Sequence, residues 1–172
     1  MKRNILLLFS ALLLSVSCIK DKPEGADLST GDTLPDFQVT MNDGSTVSDE
    51  SLKQGVSLVM FFHTTCPDCQ NVLPEVQSLY DEYVAKGVRF AIISREEGSE
   101  SVQKYWVEKG LTMPYSAQET REIYSKFART RVPRIYICEK GGLIRYIHTD
   151  DPLPEFKELE QQINSVCGTD KE

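Results

Sequence analysis

Cys66-Pro67-Asp68-Cys69 is the stretch of this chain whose residue types and spacing could do chemistry. Two thiols three positions apart share one turn of a helix. Where the first stands at the helix N-terminus, unpaired N–H groups and the positive end of the helix dipole stabilise its thiolate. A thiolate attacks a disulfide sulfur, and the second thiol then releases the product from the mixed disulfide. The same spacing binds zinc when two such pairs combine. Here there is one pair, and Cys18, Cys138 and Cys167 do not make a second, which argues against a four-cysteine zinc site. Two neighbours are candidate modulators. Asp68 puts a negative charge between the cysteines and opposes a thiolate there. His63 stands three residues before Cys66; an imidazole titrates near neutral pH and could stabilise the thiolate or shuttle its proton, but a histidine at a strand end also commonly just packs or faces water.

The elements that must position this dithiol follow from periodicity. Residues 56–62 (Val-Ser-Leu-Val-Met-Phe-Phe) are a continuous apolar run, expected as a buried central strand. They lead into a helix expected over residues 67–85, with Val72, Leu73, Val76, Leu79, Tyr80 and Tyr83 on one stripe and Pro67 in the first turn, where no N–H is needed. Before the strand, residues 34–40 and 46–48 flank the turn Asn42-Asp43-Gly44-Ser45 and read as a β-hairpin. After the helix come a strand over 88–94, a helix over 99–109 stopped by Gly110, a helix over 119–128, a hairpin of strands 134–138 and 143–147, and a last helix over 154–166. This order predicts an α/β fold with a mixed central sheet flanked by helices and an added N-terminal β-hairpin.

Length and composition allow one domain with a core of ordinary size among the 172 residues, and the formal charge of −7 gives no support for nucleic-acid binding, which wants a basic face. The first residues read as an export signal: Lys2 and Arg3, then a short apolar run over 5–14, then Ser15, Ser17 and Cys18. The run is too short for a comfortable membrane span. The segment resembles the bacterial lipoprotein signal, which implies cleavage before Cys18 and lipidation of that cysteine. Leu14 stands one place further from Cys18 than in the usual pattern. The alternative is an ordinary secretory signal. Loss of Lys2 and Arg3 with the leader takes the formal charge from −7 to −9. The expected organisation is a signal over 1–17, a flexible tether over 18–31, the domain over 32–167 and a disordered tail over 168–172. The location implied is the bacterial cell envelope, facing the periplasm, where disulfides persist.

Three features together resemble the thioredoxin superfamily, and more narrowly its exported, membrane-tethered TlpA/ResA-type thiol–disulfide oxidoreductases: residues 61–69 at the strand-to-helix junction, Arg131-Val132-Pro133-Arg134 before the late strand, and the opening Gly31-Asp32-Thr33-Leu34-Pro35-Asp36-Phe37. The resemblance implies that Cys66 is the nucleophile and Cys69 the resolving thiol. It also implies that Pro133 is cis and faces the dithiol, and that the Val132 backbone pairs with an extended client segment. The chain departs from the pattern where thioredoxins carry a buried aspartate (Met60), where some tethered reductases carry a glutamate (Val72), and where a tryptophan usually precedes the first cysteine (Thr65), so neither familiar position supplies an acid to Cys69. The activity implied is reduction of disulfides in exported proteins, with electrons from a membrane thiol-transfer protein and no cofactor. Two alternatives belong to other classes. A peroxiredoxin-like peroxidase would want proline and threonine where Val59 and His63 stand. A Cu(I)-binding chaperone could use Cys66, Cys69 and His63, although such proteins use a CxxxC spacing. Cys138 and Cys167 read either as separate thiols or as a structural disulfide.

Because Asp68 opposes a thiolate, the dithiol is expected to be reducing. Redox titration against glutathione checks this. A potential as high as that of strongly oxidising exported dithiols, about −120 mV, would overturn it.

Overall fold

The strand β3 (Ser57–Phe62) is buried along its whole length, because it carries apolar side chains on both faces and each face needs a covering layer. In the computed structural model, which describes residues 27–168, it lies inside a four-stranded sheet ordered β4 (Arg89–Ser94), β3, β5 (Arg134–Cys138), β6 (Ile144–His148). β3 pairs parallel with β4, Ser57 opposite Arg89 and Phe62 opposite Ser94. It pairs antiparallel with β5, Phe61 opposite Arg134 and Ser57 opposite Cys138, and β5 pairs antiparallel with β6. Successive side chains of β3 point to opposite faces. The Phe61 ring meets Tyr124 and Phe127 at centroid distances of 5.2 and 4.8 Å, whereas Phe62 meets Trp106 at 5.0 Å. The mixed sheet covered on both faces is the architecture expected from the sequence.

The helices depart from expectation mainly at their ends. α1 (Asp49–Leu52) is a single turn capped by Ser48. α2 (Pro67–Tyr83) buries Cys69, Val72, Leu73, Val76, Leu79 and Tyr83. It ends two residues early, passes into a tight turn over Val84–Lys86, and is closed by Gly87 at φ 91°, a left-handed shape that costs glycine little. Tyr80 is only partly buried and packs edge-on against Phe90 at 5.3 Å. α3 (Ser99–Lys109) has the expected span, and its Trp106 Nε1 donates to the Met113 carbonyl at 2.9 Å. α5 (Phe156–Gly168) starts and ends two residues later than expected, and Tyr83 Oη bonds Asn164 from α2 at 3.1 Å. The largest correction is α4, helical only over Glu122–Ser125 instead of 119–128. On its N-terminal side Ser116 is drawn alongside β4, donating to the Ile92 carbonyl and accepting from the Ser94 amide, both at 2.8 Å. On its C-terminal side the Phe127 carbonyl is taken by partners outside the helix, accepting from the Leu28 amide at 2.9 Å and the Tyr136 hydroxyl at 3.1 Å.

The N-terminal hairpin forms its own two-stranded sheet, β1 (Gln38–Thr40) and β2 (Thr46–Ser48). The expected strand over 34–40 is shortened because Leu34 instead donates to the Gly142 carbonyl at 2.9 Å. The hairpin docks where Ser116 Oγ donates to the Thr40 carbonyl at 2.7 Å and the Tyr115 amide donates to Asn42 Oδ1 at 2.8 Å. Residues 27–31, expected within a flexible tether, are held to the domain: Leu28 donates to the Phe127 carbonyl and Gly31 to the Ile144 carbonyl, each at 2.9 Å. Gly168, assigned by sequence to a tail, ends α5. The leader 1–17, Cys18, the first part of the tether and residues 169–172 lie outside the described residues.

Two of the buried ionisable side chains of β5, Cys138 and Tyr136, are held protonated by their burial. Burial pushes the Cys138 thiol up to about 12, against the smaller opposing effect of the Ser57 hydroxyl. Burial likewise pushes the Tyr136 phenol far above its usual range, against the Arg134 charge. A group whose folded pKa is raised stays protonated longer in the fold than in the open chain. Its contribution to stability is therefore complete below its unfolded pKa, about 8.5 for a thiol, and is lost as pH rises toward the folded value. The urea midpoint of the reduced protein is thus expected to fall between about pH 9 and pH 11, and Cys138→Ala should flatten part of that fall. A midpoint unchanged across this window would contradict the burial of these groups.

Candidate active site

The register between β3 and β5 sets the site. With Phe61 opposite Arg134, the chain leaving β3 and the chain entering β5 meet at one end of the sheet. After Phe62 the backbone turns through His63, Thr64 and Thr65. Cys66 is the N-cap of α2, with extended backbone (φ −80°, ψ 118°), and Pro67 occupies the first helical position. Cys66 donates its amide to the His63 carbonyl at 3.0 Å, and its own carbonyl accepts from Gln70 at 3.0 Å, which starts the helix.

The two thiols stand in different surroundings. Cys66 is half-buried and its Sγ lies 3.4 Å from the Val132 carbonyl. Cys69 is fully buried. Burial pushes its thiol far above the usual range, and the neighbouring Cys66 thiol adds to this, whereas the His63 amide N–H and the Arg95 charge act the other way. The arrangement gives one thiol that a disulfide can reach and one that only Cys66 can reach. Asp68 sits half-buried in the first turn of α2.

The facing wall is the loop before β5. The Val132–Pro133 peptide bond is cis and Arg131 has φ 74°. Tyr124 holds this loop: its hydroxyl contacts the carbonyls of Thr130 and Arg131, and its ring packs edge-on against Phe61. Arg134, buried, donates to the Thr130 carbonyl at 3.1 Å and to Asp27 Oδ2 at 3.0 Å. Cys138 is a free buried thiol at the opposite end of β5, so it is not bonded to Cys167.

His63 does more than pack or face water. Its Nδ1 lies 3.0 Å from Thr65 Oγ1, accepts from the Thr65 amide at 3.3 Å, and is 3.7 Å from Glu97 Oε2. Glu97 is the residue that sequence reasoning missed. Met60 and Val72 leave the familiar acid positions empty, but the turn after β4 brings a carboxylate from elsewhere. Glu97 is 7% exposed, accepts from the Thr64 amide at 2.8 Å and also from the Thr64 hydroxyl. Its position depends on Glu96 adopting φ 58°, a left-handed backbone that is uncommon for a residue with a side chain. The only sequence signal was a pair of acids between a strand and a glycine, with nothing to say which one turns inward. Beside this cluster is a cleft of about 430 Å³ bounded by Thr65, Gln70, Glu97, Lys104 and Tyr105.

Known proteins resemble this chain. The thiol–disulfide oxidoreductase ResA of Oceanobacillus iheyensis is 27% identical over 150 residues, covering 85% of this chain and 78% of its own. The ResA protein of Geobacillus thermodenitrificans is 24% identical over 166 residues, covering 96% and 94%. A crystal structure of a thiol:disulfide interchange protein of the thioredoxin family from Chlorobium tepidum superposes with a TM-score of 0.70 at 22% identity, covering 83% of this chain and all of that one, which shows a common fold. Residues 30–147 match the AhpC/TSA family; with more than half of the chain inside that match and a thioredoxin-like sheet beneath it, the protein belongs to the AhpC/TSA family.

Proposed function

We propose that the protein is a thiol–disulfide oxidoreductase that reduces disulfides of exported proteins through Cys66 and Cys69. The observation that carries this reading is the half-buried Cys66 Sγ, at the start of α2 and 3.4 Å from the Val132 carbonyl, with Cys69 buried one turn below. The relatives named above bear the same activity in their names. In the reaction the Cys66 thiolate attacks one sulfur of a client disulfide. The client S–S bond breaks, a Cys66–client disulfide forms, and one client thiolate leaves. Cys69 then gives up its proton and attacks the Cys66 sulfur. The Cys66–Cys69 disulfide forms and the second client thiol is released. Two electrons pass from the dithiol to the client, and a thiol donor at the membrane restores the dithiol. Val132, beside the cis bond to Pro133, offers the backbone edge along which an extended client segment lies, as in strand addition.

The reading includes an exported protein held by lipid on Cys18. The support is the apolar leader ending at that cysteine and the point at which the chain joins the domain. Asp27 is fixed by Arg134 and by the Arg129 amide at 3.0 and 2.8 Å, at the same end of the sheet as Cys66. Cys18 precedes Asp27 by nine positions, a stretch that spans at most about 30 Å. A lipid on Cys18 would thus keep the dithiol end close to the bilayer, within reach of a membrane-borne electron donor. Asp68 beside Cys66 supports the reducing direction.

Trapping tests the reading. With Cys69→Ala in the native cell, Cys66 cannot be resolved, and reductant-sensitive adducts of exported proteins should accumulate. The double variant Cys66→Ala with Cys69→Ala should show none. Equal adducts in both, or none with Cys69→Ala alone, would refute the assignment. Purified protein should also reduce a model protein disulfide, and Cys66→Ala should lower that rate by at least ~100-fold, since the nucleophile is lost.

A further inference from the structure

We infer that Glu97 is a positioning residue for the dithiol: its carboxylate clamps the loop of residues 63–65 and so fixes the His63 backbone beside both cysteines. The inference rests on the oxidoreductase reading above and adds a residue outside the CxxC and the Pro133 loop.

Thr64 is gripped from three sides. Its amide donates to Glu97 Oε2 at 2.8 Å, its hydroxyl donates to Glu97 Oε1, and its carbonyl accepts from Gln70 Nε2 at 2.7 Å. The residue before it, His63, contributes one backbone group to each thiol-bearing residue. Its carbonyl accepts the Cys66 amide at 3.0 Å, and its N–H eases ionisation of the buried Cys69 sulfur. The clamp and both His63 backbone groups therefore sit on adjacent residues, and movement of Thr64 moves them together. Glu97 is itself held firmly. Its amide donates to the Gln118 carbonyl at 2.8 Å, and its carbonyl accepts from Ser94 Oγ at 2.8 Å. The left-handed backbone at Glu96 is what turns the carboxylate under the loop; an uncommon conformation maintained beside a reactive site points to a role there. A carboxylate is well suited to this task because it is acceptor-only and can take both Thr64 donors at once.

The clamp serves the resolving step. Cys69 is buried, and it must give up a proton and approach the Cys66 sulfur in line with the bond to the client. The His63 N–H favours the Cys69 thiolate at the moment it forms. Loss of the clamp frees the loop and weakens that donor, so resolution should slow more than the initial attack by the accessible Cys66.

Glu97→Gln and Glu97→Ala separate these effects. The glutamine oxygen can accept from the Thr64 amide while its NH2 donates to the Thr64 hydroxyl, so the clamp persists without the charge. Alanine removes it and leaves the Thr64 donors without partners. Stopped-flow reaction with a small aromatic disulfide reads attack and resolution as separate phases. Glu97→Ala is expected to slow resolution at least tenfold, with attack changed less than threefold. Glu97→Gln should stay within about threefold of wild type in both phases. Ile163→Val on α5 serves as a mildly destabilised control that leaves both phases unchanged. Wild-type resolution in Glu97→Ala would overturn the inference. So would equal slowing in both Glu97 variants, or slowing that merely follows the loss of thermal stability as in the control. If the wild type itself gives no second phase, the oxidoreductase reading fails and the clamp has no step to serve.

Discussion

The antiparallel register of β3 against β5 is the constraint on which the site depends. Phe61 must face Arg134 for the chain leaving β3 to arrive beside the loop entering β5, and only then does the Cys66 sulfur reach the Val132 carbonyl. That register is held by burial. Leu58, Val59, Met60, Phe61 and Phe62 are all fully buried, and each side chain contributes about 1.5–3 kcal/mol on leaving water. A slip of one residue would exchange the faces of the whole strand, taking Phe61 away from Tyr124 and Phe127 and Phe62 away from Trp106. The favourable helix-terminus electrostatics at Cys66 amount to roughly 0.3–1 kcal/mol. Strand burial therefore decides where the thiols stand, and the helix terminus only adjusts their chemistry.

Within that frame, the two cysteines divide the work by exposure. Both come from one turn of one helix, yet Cys66 projects at the N-cap while Cys69 falls on the stripe that packs on the sheet with Val72, Leu73 and Val76. Burial opposes ionisation of Cys69 more strongly than the His63 N–H and the Arg95 charge favour it. An accessible thiol that reacts first and a concealed one that reacts only with its neighbour is the asymmetry that a two-step exchange requires, because a resolving thiol open to solvent would itself capture clients.

Much of this was legible in the sequence because it rests on local rules. The unbroken apolar run over 56–62, the proline after Cys66, and the glycines closing α2 and α3 each announce their structure. The β5–β6 hairpin was equally plain around Gly141 and Gly142. What could not be read was set by partners distant in the chain. α4 is short because Ser116 bonds Ile92 and because the Phe127 carbonyl is taken by Leu28 and Tyr136. The tether is docked from Asp27 onward because Arg134, more than a hundred residues later, supplies the counter-charge. Glu97 was hidden for the same reason. In sequence it is one of two adjacent acids on a loop, where a solvated face is the ordinary outcome, and only the left-handed turn at Glu96 makes one of them the floor of the site.

Each wall of the site is fixed by a polar side chain borrowed from an element outside the dithiol helix. The Tyr124 hydroxyl holds the Thr130 and Arg131 carbonyls, and the Glu97 carboxylate holds the Thr64 amide and hydroxyl. Apolar packing alone could not do this, because dispersion contacts are non-directional and tolerate small shifts, whereas a hydrogen bond to a backbone group fixes both distance and direction. Buried polar groups bring the opposite risk: a hydroxyl or carboxylate that loses its partner costs about 1–3 kcal/mol. The tightly turned backbones at Glu96 and Arg131, both with positive φ, belong to this same scheme. They bring side chain and carbonyl together where helix and strand would each carry them past one another. Precision at the dithiol thus comes from irregular segments held rigidly by buried polar contacts, set on a sheet whose register is held by apolar ones.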